Sequence, residues 1–94
     1  MSHLIMFFGT DRPSCESMKM LTQKMFHEYG IVVDMYDVWK SESDYRVMEN
    51  YIQMYCPDCP GIPLFMNTET NQIICGEVSY KVLCNWAFGG RVEQ

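Results

Sequence analysis

The fold of this chain depends on residues 56–65, which read CPDCPGIPLF. Two prolines and a glycine interrupt regular structure within a few residues, so Cys56 to Gly61 is predicted to be a loop. The apolar run that follows, Leu64 to Asn67, is short enough to be a buried strand. The remaining elements lie on either side of this boundary between loop and strand.

On the carboxyl-terminal side the pattern predicts a β-hairpin and a helix. Thr68 to Asn71 has the composition of a turn, and Gln72 to Cys75 is an apolar partner strand at a spacing that suits a hairpin. Ser79 is suited to cap a last helix, and Gly89-Gly90 is suited to end it. The residues expected to face the core from this helix are Leu83, Trp86 and Ala87.

On the amino-terminal side, His3 to Phe8 is a continuous apolar run, which is typical of a central strand covered on both faces. A first helix is predicted to follow, with Asp11 as its N-cap, Pro13 in its first turn and Gly30 as its C-terminal stop. The helical spacing of that segment is carried by Met18, Leu21, Thr22, Met25, Phe26 and Tyr29.

A second strand and a second helix complete the pattern. Ile31 to Val38 is rich in β-branched residues and is predicted to be a strand. Ser41 to Asp44 resembles a capping box, so the second helix is expected to begin there. One face of that helix is formed by Tyr45, Met48, Tyr51, Ile52 and Tyr55.

The predicted element order is therefore βαβαββα, an α/β class. The βαβ start implies a parallel pair of strands with a right-handed crossover, and the hairpin adds an antiparallel pair. A four-stranded mixed sheet of this kind needs helices on both faces to cover it. Residues 1–94 are expected to form one domain, with a short polar tail from about residue 89.

Charge and composition exclude several classes of partner. The chain has 7 Lys and Arg against 12 Asp and Glu, a formal net charge of -5. Binding to nucleic acid requires a basic patch, and binding to an anionic membrane surface requires basic clusters, so neither partner is expected. The chain carries no pattern of an export signal or a transmembrane helix, which predicts a cytoplasmic protein with its five cysteines mostly reduced.

Three segments resemble the thioredoxin/glutaredoxin family. Gly61 to Phe65 is similar to the family's G-I-P-T-L segment, in which the proline is cis, and Gly76 to Ser79 is similar to the turn after its last strand. Residues 7–15, FFGTDRPSC, resemble F-W-A-x-W-C-G-P-C, and the resemblance extends from Leu4 to Phe88. It implies a thioredoxin-like fold, thiol–disulfide chemistry, and a protein or peptide thiol partner bound beside Pro63.

The active-site motif departs from the family pattern. In the ungapped alignment C-G-P-C becomes Arg12-Pro13-Ser14-Cys15, so an arginine replaces the nucleophilic cysteine and Cys15 takes the resolving position. Met6 replaces the buried carboxylate that assists proton transfer in the family. Ordinary dithiol exchange through this motif is therefore not expected.

A second alignment remains open. With an insertion in the preceding loop, Cys15 becomes the leading cysteine, and Cys15-Glu16-Ser17-Met18 is then a monothiol site of the glutaredoxin type. The ungapped match is the simpler of the two. Glu16 beside the sulfur would also disfavour the thiolate.

Cys56-Pro57-Asp58-Cys59 is a C-x-x-C sequence in the loop before the cis-proline. In the family fold this loop lies beside the start of the first helix, so Cys56 or Cys59 could approach Cys15 and form a displaced redox site. A proline-held turn with two free thiols is the simpler alternative. A metal is not expected, because the three cysteines lack a fourth ligand for zinc, and no other cofactor is predicted.

Cys75 and Cys84 are expected to be small core residues. Two functions stay open for the whole chain. The first is a divergent thiol–disulfide oxidoreductase that uses Cys15, Cys56 and Cys59. The second is a non-catalytic thioredoxin-fold module, which would bind a protein or peptide in a groove beside the cis-proline. The groove residues would be Arg12, Pro13, Ser14, Ile62 and Pro63.

Overall fold

A computed structural model of the chain describes residues 2–92. The elements occur in the predicted βαβαββα order. They are β1 (Leu4–Phe8), α1 (Pro13–Tyr29), β2 (Asp34–Asp37), α2 (Glu42–Tyr55), β3 (Leu64–Asn67), β4 (Gln72–Cys75) and α3 (Tyr80–Ala87).

The four strands form one mixed sheet in the order β2-β1-β3-β4. β1 pairs parallel with β2 and antiparallel with β3, and β3 pairs antiparallel with β4. The predicted α/β class and four-stranded mixed sheet are confirmed, and the architecture is compatible with a thioredoxin-like fold. None of the helices in residues 2–92 is long and apolar enough to cross a membrane.

Two apolar clusters, one on each face of the sheet, form the core. Successive side chains of a strand point to opposite faces, so Leu4 and Met6 of β1 join one cluster while Ile5 and Phe7 join the other. The first cluster is closed by α1 and α3, whose Met18, Met25, Leu83 and Trp86 are almost fully buried. The second is closed by Met48 and Ile52 of α2. Helices therefore cover both faces, as predicted.

Two of the predicted helix caps are confirmed and one is wrong. The Ser41 hydroxyl accepts from the backbone N–H of Asp44 at the start of α2, and Ser79 does the same for α3. Asp11 does not cap α1. The N-cap residue is Arg12, which is extended and makes no side-chain capping bond. The following Pro13 disfavours a helical conformation at Arg12 and so places the helix boundary there.

The second strand is shorter than predicted. It begins at Asp34 rather than Ile31, and its parallel ladder with β1 starts at the Ile5–Asp34 pair. Ser2 supplies bonds instead: its hydroxyl donates to the Val32 carbonyl and its backbone N–H donates to the Asp34 carboxylate.

The described part of the predicted polar tail is attached to the domain. The backbone N–H of Val92 donates to the side-chain oxygen of Gln72 in β4, and Asn85 donates to the carbonyl of Arg91. Residues 93 and 94 of that tail lie outside the described residues.

Candidate functional site

A disulfide lies beside the proline loop. Cys59 in the loop and Cys75 at the end of β4 are joined by an S–S bond of 2.04 Å, with 5.9 Å between their Cα atoms. The two sulfurs lie 3.4 and 3.9 Å from the carbonyl oxygen of Gly61. The peptide bond that follows Gly61–Ile62, between Ile62 and Pro63, is cis.

The β3–β4 hairpin brings Cys75 to this position. Its register places Cys75 directly opposite Leu64, the first residue of β3. The ladder continues past the strand ends through a 2.8 Å bond from the N–H of Gly76 to the carbonyl of Pro63. Because β3 begins immediately after the proline loop, the last residue of β4 must lie next to that loop.

The opposite partner, Cys59, is held by a turn after α2. Its backbone N–H donates to the carbonyl of Cys56, at 3.0 Å, and the N–H of Cys56 donates to Ile52 inside the helix, at 2.9 Å. Cys56 and Cys59 are each half-buried. The C-x-x-C sequence therefore forms a hydrogen-bonded turn at the end of α2.

Cys15 is fully buried, unlike the two cysteines of the disulfide. It lies in the first turn of α1, has no exposed surface, and packs in the same apolar cluster as Met6 and Met18. The buried polar side chains of residues 2–92 are Thr22 and Asn67, so no buried carboxylate stands in that part of the chain to accept a proton from Cys15. A buried thiol in apolar surroundings is chemically inert.

The expected participation of Cys15 is therefore not supported by its place in the fold. Its burial is also incompatible with a monothiol site at Cys15, because an attacking sulfur has to be accessible. Cys59 bonds to Cys75 instead of approaching Cys15. The reason is topological: the hairpin register places Cys75 beside the loop, whereas helix α1 turns Cys15 into the core.

One further expectation for the cysteines needs correction. Cys75 is predicted to be a small core residue, but it is half-buried and disulfide-bonded. Cys15, Cys56 and Cys84 are free thiols, so three of the five cysteines are not in the disulfide. The packing assignment for Cys84 is confirmed, since it packs against the cluster under α1 and α3.

Position 75 could have been recognised from the sequence. Once the turn is placed at 68–71, hairpin pairing sets Asn67 opposite Gln72 and hence Leu64 opposite Cys75. A cysteine at the last position of β4 is then a neighbour of the C-x-x-C loop. The signal lay in the register rather than in any motif.

The start of α1 differs from the proline loop in character. Arg12 and Pro13 are exposed and Ser14 is half-buried. The first helical bond runs from the N–H of Glu16 to the carbonyl of Arg12, at 3.0 Å. A cation at this end opposes the helix dipole.

An exposed tryptophan borders the proline loop at Ile62. A Cβ added at Gly9 would lie 2.5 Å from the Trp39 ring and 2.6 Å from the Cδ1 atom of Ile62. Trp39 and Ile62 therefore meet over the bare backbone of Gly9, and the Trp39 side chain remains 55% exposed. Of the predicted groove residues, Arg12 and Pro13 are exposed, Ser14 and Ile62 are half-buried, and Pro63 is buried.

The base of this surface is held by Asp37 at the end of β2. One carboxylate oxygen accepts from the Thr10 hydroxyl, and the other accepts from the backbone N–H groups of Trp39 and Lys40. Burial raises the pKa of Asp37, but these hydrogen bonds and the charge of Lys40 outweigh it and hold the pKa below its ordinary value.

Residues 2–92 contain no group of three or more His, Cys, Asp or Glu side chains arranged to hold a metal ion.

Comparison of the chain with protein-family models, with curated proteins and with solved structures finds no match. The chemistry of the site therefore has to be argued from its own geometry.

Proposed function

We propose that this chain is a divergent thioredoxin/glutaredoxin-like redox protein whose reactive disulfide is Cys59–Cys75, beside the proline loop. The single observation that carries the proposal is the position of this disulfide against the Gly61 carbonyl, two residues before Pro63. In the family that the sequence resembles, a thiol partner binds beside that proline. Here the same location holds a disulfide that a partner thiolate could attack.

The start of α1 supports the same proposal by exclusion. Arg12 cannot act as a nucleophile, and Cys15 has no exposed surface. Thiol exchange through that end of the molecule would require the core to open. The half-buried Cys59 and Cys75 require no such opening.

The reaction would be an ordinary thiol–disulfide exchange. A thiolate of the protein or peptide partner attacks one sulfur of the Cys59–Cys75 bond and forms a mixed disulfide, and the other sulfur leaves as a thiolate. A second partner thiol, losing its proton, then attacks the mixed disulfide. The partner gains a disulfide, while Cys59 and Cys75 become thiols and take up the protons.

The test is the reduction midpoint of the disulfide in glutathione buffers, read by alkylation and mass spectrometry. Structural disulfides have midpoints below roughly −300 mV, and exchanging ones lie above it. We expect a midpoint above that boundary and no change in the Cys84→Ala control. A bond that stays oxidised below the boundary would identify a structural disulfide and contradict the proposal.

A cytoplasmic location is part of this proposal. The glutathione pool of the cytosol is poised at roughly −220 to −260 mV by extraction methods. A bond with a midpoint near that range is partly reduced there and can cycle. A bond with a much lower midpoint would remain oxidised, and redox cycling with this pool would be lost.

The second candidate function, a non-catalytic protein- or peptide-binding module, is favoured by one observation. The exposed Trp39 ring adjoins Ile62 and gives the surface an apolar element. The experiment is titration with cysteine-free acidic peptides, followed by Trp39 fluorescence. If Arg12→Glu abolishes the response and Cys59→Ala/Cys75→Ala leaves it unchanged, binding is independent of the disulfide.

A further inference from the structure

A third cysteine stands next to the disulfide and is not part of it. Cys56 is a free thiol at the C-cap of α2, half-buried and with its backbone N–H bonded to Ile52. The bond from the Cys59 N–H to the Cys56 carbonyl closes a turn over these four residues. A turn of this type holds its first and last Cα atoms within about 7 Å of each other.

That separation overlaps the range of a disulfide. Bridged cysteines have Cα atoms about 4.4–6.8 Å apart, and the observed pair lies at 5.9 Å. Cys59 therefore has two cysteines at Cα separations compatible with a disulfide, Cys75 across the loop and Cys56 within its own turn. It can bond to only one of them at a time.

The other free thiols are differently placed. Cys15 is fully buried between the sheet and α1. Cys84 packs against the same cluster from α3. Cys59 instead packs against the cluster on the opposite face of the sheet, with Tyr51 and Ile73. Cys56 is thus the thiol that the fold places beside the bond.

We propose that Cys56 is a resolving thiol, which exchanges the Cys59–Cys75 disulfide for a Cys56–Cys59 disulfide. This inference rests on the proposed function, because it assigns a third residue to the same redox site. The Cys56 thiol loses its proton to solvent, and its sulfur attacks Sγ of Cys59. The Cys59–Cys75 bond breaks, and Cys75 leaves as a thiolate that takes up a proton. One disulfide is lost and one is formed, so no oxidant or reductant is consumed.

The exchange changes what the proline loop is attached to. The Cys59–Cys75 bond ties the loop to β4, which is an edge strand of the sheet. The Cys56–Cys59 bond ties the loop only to the end of α2. After exchange, the thiol of Cys75 is available to a partner while the loop remains oxidised.

The first test uses the unmodified protein and maps its bonds. Oxidised protein is incubated without denaturant, quenched in acid, alkylated and cleaved after glutamate. Cleavage at Glu49, Glu69 and Glu77 yields peptide 50–69, with Cys56 and Cys59, and peptide 70–77, with Cys75. Linked peptides with an alkylated Cys56 report the Cys59–Cys75 bond. A separate, unalkylated 50–69 peptide together with an alkylated Cys75 reports the exchanged bond, which we expect in addition.

The second test follows a mixed disulfide. Cys75→Ala is reacted with glutathione disulfide, and its glutathione adduct at Cys59 is followed over time. We expect the adduct to be lost at least about tenfold faster than in the matched control Cys56→Ala/Cys75→Ala, because attack by Cys56 is intramolecular. The product should be the Cys56–Cys59 bond. Circular dichroism establishes that both variants are folded.

Equal adduct lifetimes in the two folded variants, or an unmodified protein that never yields the separate 50–69 peptide, would overturn the role of Cys56. The midpoint of the Cys59–Cys75 bond would then still decide the proposed function by itself. Conversely, a midpoint below roughly −300 mV together with an exchanged bond would refute reductive cycling and retain the exchange.

Discussion

The start of α1 and the proline loop place their cysteines in opposite environments. At the start of α1 the family-like motif ends in Cys15, which is entirely enclosed by core side chains. Beside the proline loop, no family motif marks Cys59 or Cys75, yet both are only half-buried and are bonded to each other. The reactivity of a sulfur depends on its depth and neighbours more than on the motif that contains it.

The difference follows from the two supporting elements. The buried residues of α1 are Cys15, Met18, Thr22 and Met25, which recur at helical spacing, so Cys15 lies on the face of the helix that packs on the sheet. A strand end has no such constraint, because Cys75 follows the buried Ile74 and lies at the boundary of the ladder. The burial of Cys15 and the partial exposure of Cys75 are therefore consequences of packing.

The largest expected effect is on the stability of the oxidised protein. Cys59→Ala/Cys75→Ala removes a bond that closes a loop with a sequence separation of 16, so about 3 kcal/mol of the free energy of unfolding should be lost. Urea denaturation with and without reductant measures this change. A loss of the same size in both conditions would show that packing of the two side chains, and not the bond, is responsible.

Gly9→Ala should perturb the surface formed by Trp39 and Ile62 beside the proline loop. Its Cβ would meet the Trp39 ring at 2.5 Å and Ile62 at 2.6 Å, so both side chains have to shift, at about 1–3 kcal/mol. The Trp39 emission should change, and thermal denaturation should register the loss. The change should be smaller in a Trp39→Ala background, and an equal loss in both backgrounds would contradict this contact.

Cys15→Ala tests whether the buried thiol of α1 takes part in disulfide exchange. Removing a fully buried sulfur leaves a small cavity, so a loss of about 1 kcal/mol in the free energy of unfolding is expected. The midpoint of the Cys59–Cys75 bond should stay the same in glutathione buffers. A shifted midpoint in a folded variant would mean that Cys15 takes part in the exchange.

Arg12→Asp should stabilise the protein. The N-cap of α1 has no side-chain acceptor, and an aspartate would supply one and favour the helix dipole, at about 0.5–1 kcal/mol. Arg12→Ala removes the cation without adding a cap, so it separates the two contributions to the free energy of unfolding. Ser41→Ala removes an existing cap from α2 and should lower the free energy of unfolding. If Arg12→Asp is no more stable than Arg12→Ala, the end of α1 is already satisfied in another way.

The smallest effect concerns pH. Asp37 has a lowered pKa in the folded state, so its contribution to stability is present above the unfolded value, about 4, and is lost as the pH falls through the folded pKa. Thr10→Val removes one of the bonds that lower this pKa. The urea midpoints of the two proteins should differ at neutral pH and converge in acid, and a difference that persists in acid would assign the effect of Thr10 to packing.

Sequence reasoning recovered the elements because their signals are local. Apolar periodicity located every helix and strand, and Ser41 and Ser79 capped the helices they were expected to cap. The predictions were wrong at element boundaries, where a residue outside the element determines where it begins. Residues 31–33 are not part of the second strand, and the carbonyl of Val32 accepts a bond from the Ser2 side chain instead. Asp11 is not the N-cap of α1, because Pro13 restricts the backbone of Arg12 and places the helix boundary there.

The candidate site divides in the same way. The loop at 56–61, the following strand and the hairpin turn could be read from breakers and apolar runs alone. Breakers and apolar runs do not identify the partner of Cys59. That requires a further step, the pairing of β3 with β4 across the predicted turn, which sets Cys75 opposite Leu64.

The amino-acid sequence by itself determined the α/β class, the element order and the absence of a nucleophile at position 12. These properties depend on residue type and on short-range spacing. The hairpin register, which the sequence contains, places Cys75 near the loop, but the tertiary structure alone decided that Cys15 is buried and that Cys59 bonds to Cys75, since both depend on elements packed from elsewhere in the chain. Distances across a sheet are set by strand register and helix packing, neither of which is a local property.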